Sequence, residues 1–147
     1  MEGKSSMRGH DKAMTVVTEW MAKAENDPKE ATHLVRMADC PTDTVCFHAQ
    51  QCFEKCLKAL LVTKGTSVRK THDLGELIVL LPSELRPSII SEEQDRLTEY
   101  ATVTRYPGNY DPITLGEARQ AVRIARRVRQ EVGRLLSEKP PFAGGQP

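Results

Sequence analysis

The sequence of 147 residues has no run near the roughly 18 consecutive apolar residues that a membrane-spanning helix needs. Met1 to Ala13 has no apolar core of the kind a secretory signal carries, so a soluble, cytoplasmic protein with no membrane partner is expected. An excess of either charge is also missing. With 21 Lys plus Arg against 20 Asp plus Glu the net charge is +1, so any attraction to nucleic acid or an anionic surface has to come from a local patch. Gly65, Gly108 and Gly116 stand alone and make neither a phosphate-binding loop nor a dinucleotide fingerprint. Cys40, Cys46, Cys52 and Cys56 crowd into one segment, whereas a disulfide framework spreads its bridges along the chain; they read as reduced thiols.

What the sequence does have is helical periodicity. Met14, Val17, Met21, Ala24, Pro28, Ala31, Val35 and Ala38 recur every three or four residues, which keeps them on one helix face. Pro28 should kink or break this helix, with Asp27 as the cap of a restart, because proline lacks the backbone donor and disfavours the α region in the residue before it. Pro41, Thr42 and Asp43 form a turn and cap. Beyond them Cys46, Ala49, Phe53, Cys56, Leu57, Leu60 and Leu61 define a second apolar stripe that ends at Lys64 and Gly65. Thr71 or Asp73 can cap a shorter third helix that Pro82 stops, and a fourth runs from about Ser88 to Thr104. RYPGNYDP, Arg105 to Pro112, is a loop, and Leu115, Ala118, Val122, Ala125, Val128, Val132 and Leu135 mark a last helix.

The expected fold is therefore all-α: an up-and-down antiparallel bundle of four to five helices over 14–138, a flexible N-terminal segment over 1–13, and a disordered tail over 139–147. Strand-like alternation and internal repeats are absent.

Few residues suggest chemistry. His48, Cys52 and Cys56 share a helix face, but at about 1.5 Å rise per residue His48 and Cys56 stand about 12 Å apart along the axis, too far to ligate one ion. No metal and no cofactor is expected. His72, beside Asp73 at a helix start, can bind an anion or tie a loop to the bundle. Arg119, Arg123, Arg126, Arg127 and Arg134 form a ridge on the last helix that either neutralises phosphates or simply faces solvent.

FHAQQCFEKCLKALL at Phe47 to Leu61, KTHDL at Lys70 to Leu74 and RYPG at Arg105 to Gly108 follow one another as the signatures of the HEPN family do, and the chain resembles that family from Trp20 to Leu136. The resemblance implies a helical bundle that dimerises. Ribonuclease members of the family carry an Arg followed, after four to six residues, by a His; the His handles the proton of the attacking hydroxyl and the Arg steadies phosphate charge. Here Arg105 matches the arginine, but Tyr110 stands where the histidine is expected, neither Asp111 nor Pro112 supplies one, and no histidine follows His72. A tyrosine with a pKa of about 10 is a poor base at neutral pH.

The resemblance thus implies a non-hydrolytic module that binds a nucleotide or phosphate group through Arg105, His72, Lys55 and Lys58. It also implies a homodimer that pairs with a nucleotidyltransferase-type protein. The alternatives are a metal-independent endoribonuclease toxin of a toxin–antitoxin pair, with Arg105 and Tyr110 as catalytic candidates and RNA as substrate, or a helical interaction module without ligand.

Overall fold

A computed structural model describes residues 2–68, 70–103 and 111–138. Five helices make up these residues: α1 (Glu2–Val35), α2 (Thr42–Thr63), α3 (Leu74–Val79), α4 (Ser91–Val103) and α5 (Leu115–Glu138), with one 3-10 turn at Ser83–Leu85. No strand occurs among the described residues.

The apolar residues at helical spacing become the core. Val17, Met21, Ala24 and Ala31 of α1 pack on Cys46, Ala49, Phe53, Cys56, Leu57 and Leu60 of α2 and on Ala118, Val122, Ala125, Val128 and Val132 of α5, all of them buried. The central element is α2, which packs against α1, α3, α4 and α5. Cross-helix partners set the directions. Trp20 lies against Lys58 while Asp27 meets Lys55 and His48, so α1 and α2 are antiparallel. Glu93 meets Arg127 and Tyr100 meets Glu117, so α4 and α5 are antiparallel too. Thr42 bonds to the Ile113 carbonyl and Cys52 to that of Ala125, which makes α2 and α5 parallel, as an up-and-down bundle requires.

Helix ends follow local chemistry. Gly65 adopts φ 72°, a left-handed conformation that costs glycine little, and lets Thr66 N–H reach the Leu61 carbonyl at 3.0 Å to close α2. Of the two possible caps for α3, Asp73 is the one used: its carboxylate accepts from the Gly75 and Glu76 amides at 2.9 and 3.3 Å. Thr114 caps α5 by accepting from the Glu117 amide at 3.1 Å.

Three details depart from the sequence reading. The first helix runs unbroken through Pro28 and begins at Glu2, ahead of its apolar periodicity. Asp27 caps nothing; its carboxylate is held on α2 by His48 and Lys55, and that anchoring, with Pro28 itself buried, keeps the chain helical across the missing backbone donor. The fourth helix starts at Ser91 rather than Ser88, because the Ser88 amide and hydroxyl are committed to Glu131 of α5.

Candidate functional site

The core of α2 faces one way, and its opposite side carries a stripe of polar residues. At about 100° per residue, Gln50, Gln51, Glu54, Lys55, Lys58 and His48 fall on this side, between α1 and the loop that precedes α3. Two carboxylates organise it. On the α1 flank, the Asp27 carboxylate accepts from His48 Nδ1 at 2.9 Å and from Lys55 Nζ at 2.8 Å. On the α3 flank, Glu54 accepts from His72 Nδ1 at 2.7 Å, from Lys58 Nζ at 2.8 Å and from Gln50 Nε2 at 2.9 Å. Gln50 also donates to the His72 carbonyl at 3.3 Å and receives a bond from Gln51 at 2.7 Å, so one amide links α2, the α3 loop and the stripe.

Burial governs the electrostatics. The Glu54 side chain is only 5% exposed, and desolvation by itself would raise its pKa; hydrogen bonds from Lys58, Gln50 and His72 outweigh that and hold it below the ordinary carboxylate value. Lys58 is equally enclosed, with its ammonium 5.5 Å from the centre of the Trp20 ring, a cation–π contact that adds to the Glu54 pair. An ionised carboxylate only accepts, so each imidazole donates through Nδ1 and keeps Nε2 for another partner. The side chain of His72 is 47% exposed and that of His48 25%, so both face solvent in part.

The residues singled out from the sequence are distributed as follows. His72, Lys55 and Lys58 share the polar side of α2, and both lysines are matched by carboxylates there. Arg105 and Tyr110 lie outside the described residues, as do RYPG and the tail. The flanks of that loop are described. The Leu74 amide donates to the Thr98 hydroxyl and the Thr42 hydroxyl to the Ile113 carbonyl, which ties the start of α3 to α4 and the approach to α5 to the start of α2. His48, Cys52 and Cys56 do not act together: His48 turns to Asp27, while Cys52 and Cys56 are buried in the core with free thiols. No group of three or more metal-ligating side chains exists among the described residues. Burial raises the Cys46 thiol to about 12, and the hydrogen bond with Cys56 together with burial raises Cys52 well above its ordinary value, which suppresses the nucleophilic thiolate.

Sequence reasoning missed Asp27 as a site residue. Its signal was indirect: His48 and Lys55, seven residues apart, share one face of α2, where a single carboxylate can accept from both.

A profile of the HEPN domain family matches residues 17–135. The crystal structure of an archaeal HEPN homologue superposes with a TM-score of 0.63 at 25% identity, covering 82% of this chain and 97% of that one. No curated protein matches.

Proposed function

The chain belongs to the HEPN domain family, and from that premise we propose that it is a non-hydrolytic member that binds a nucleotide or other phosphate-bearing group. Arg105 and His72 make the principal contacts. In this reading the module is a homodimer and works beside a nucleotidyltransferase-type partner.

The observation that carries the proposal is the fixed, half-exposed imidazole of His72. Glu54 holds its Nδ1, leaving Nε2 to donate to a phosphate oxygen when the ring is protonated. Lys55, at the edge of the stripe, is already paired with Asp27 and serves to hold α1 against the site, whereas Lys58 acts from below by keeping Glu54 ionised and in place. Arg105 supplies the charge that the family's motif reserves for phosphate, and the histidine needed for cleavage is absent after it.

Titration calorimetry with nucleoside mono-, di- and triphosphates tests the ligand. Wild-type protein should bind at least one of them, and Arg105→Ala or His72→Ala should weaken that binding at least tenfold, about 1.4 kcal/mol. Absence of heat for every nucleotide with the wild type rejects the ligand. Co-purification with the product of the neighbouring reading frame tests the partner.

A second reading, a metal-independent endoribonuclease, is favoured by one observation: His48 and His72 are both oriented by carboxylates, as proton-transfer groups are. Structured RNA incubated with the protein and a chelator decides. Cleavage abolished by Arg105→Ala supports this reading, and intact RNA at high protein concentration rejects it.

A further inference from the structure

On the outer side of α5, Arg119, Arg123, Arg126 and Arg134 are exposed and fall within an arc of about 80° at about 100° per residue. From Arg119 to Arg134 they span about 22 Å of helix axis. Among the described residues none of the four lies within ion-pair distance of a carboxylate; Arg123 donates to the Gln120 amide oxygen at 2.7 Å and Arg126 to the Thr32 hydroxyl, both neutral. The three glutamates of α5, Glu117, Glu131 and Glu138, fall outside the arc.

The ridge widens onto α1. The Arg126–Thr32 bond crosses the seam between the helices, and Lys29, one turn before Thr32, and Arg36, in the turn that closes α1, are both exposed. The nearest glutamate along that edge, Glu25, is occupied by Arg129 at 3.4 Å, and Glu30, two residues before Thr32, falls on the opposite side of α1. A chain of net charge +1 thus gathers an uncompensated band of positive charge on one face.

We propose that the α1–α5 seam binds the sugar–phosphate backbone of a single-stranded nucleic acid, independently of the nucleotide site near His72. Three features select this ligand. Guanidinium groups engage phosphate oxygens in pairs, and every basic residue of α5 is an arginine. A protein partner needs an apolar centre, and the arc from Arg119 to Arg134 carries no exposed large apolar side chain; the exposed Met14 and Met37 of the α1 side stand beyond Lys29 and Arg36, toward the two ends of the band rather than at its centre. A membrane surface needs an apolar helix face to insert, and that of α5 is buried in the core. Readout is of the backbone alone, because no aromatic side chain stands on the ridge to stack a base.

The test is fluorescence anisotropy of end-labelled oligouridylate RNA and oligothymidylate DNA across a salt series. Log affinity should fall linearly with log salt, at about 0.7 per phosphate neutralised. Replacing Arg119, Arg123 and Arg134 together by glutamine should flatten the slope by about 2 and weaken low-salt binding at least tenfold. The same three positions changed to lysine should keep the slope, which separates lost charge from damaged structure. Arg96→Gln, on the α4 side of α5, should bind as wild type does. No binding at low salt, an unchanged slope in the glutamine variant, or discrimination of one oligonucleotide from the other would overturn the proposal. So would polyglutamate binding as tightly as the RNA, since that outcome points to an acidic protein.

Discussion

Glu54 is the residue on which most of the polar stripe depends, since it accepts from Lys58, Gln50 and His72 while almost wholly enclosed. Its replacement by alanine strands the Lys58 ammonium, 8% exposed, without a counter-charge, and should cost about 3–5 kcal/mol, read as a loss of melting temperature. Its titration has a definite sign. Glu54 sits below its ordinary value of 4.5 in the folded chain, so the unfolded chain takes up the proton first as pH falls. The stability it contributes is complete above that value and disappears as pH drops through the folded one. The gap in melting temperature between wild type and Glu54→Gln should therefore hold at neutral pH and narrow as pH falls below 4.5. The thiols give another prediction at this scale. With Cys46 pushed up to about 12 by burial and Cys52 raised well above its ordinary value by its neighbour Cys56 and by burial, native protein treated with iodoacetamide should be alkylated first at the half-exposed Cys40. The other three should react only after denaturation, as mass spectrometry of the labelled peptides can check.

Single helices differ in how far they stand on local chemistry. Six residues are too few for α3 to hold itself, so the Asp73 cap and the burial of Leu74, Leu77 and Ile78 have to maintain it. Asp73→Ala should cost about 1 kcal/mol by denaturant titration, and because α3 begins beside His72, the same variant should loosen the Glu54–His72 contact. This cap was visible in KTHDL as one of two options; only the fold distinguished them, by drawing Thr71 to Glu76 at 2.7 Å. For α1 the local signal misled. Pro28 following Asp27 reads as a helix restart, yet the ion pairs from Asp27 to α2 outweigh that preference, and an acidic residue expected to cap became part of the site. Neither His48 nor Lys55 names its partner, because a one-dimensional pattern places residues on a face but not the face against a neighbour.

Across the whole molecule α2 is the element every other helix packs on, and its apolar side from Ala49 to Leu61 is enclosed. Hydrogen exchange should therefore be slowest in its amides and faster in α4, which packs on α2 and α3 alone among its larger contacts. Equal protection in the two would mean that the bundle opens only as a unit. The all-α architecture and its bundle order were legible from periodicity, since a residue buries its side chain at intervals of three or four whatever the partner. Membership of the HEPN family was legible from FHAQQCFEKCLKALL and KTHDL, because those residues combine the core of α2 with the polar stripe behind it. The sequence by itself therefore determined the helices, the core and the kinship. Tertiary structure alone decided which charges are spent and which are left. Lys55 reads in the chain as a phosphate contact, but α1 brings Asp27 to it, while on α5 Arg127 and Arg129 meet Glu93 and Glu25 and Arg119, Arg123, Arg126 and Arg134 meet no carboxylate among the described residues. The Glu54–Lys58 pair is local, one turn apart on α2, but pairing across helices depends on distances that exist only once the helices have packed.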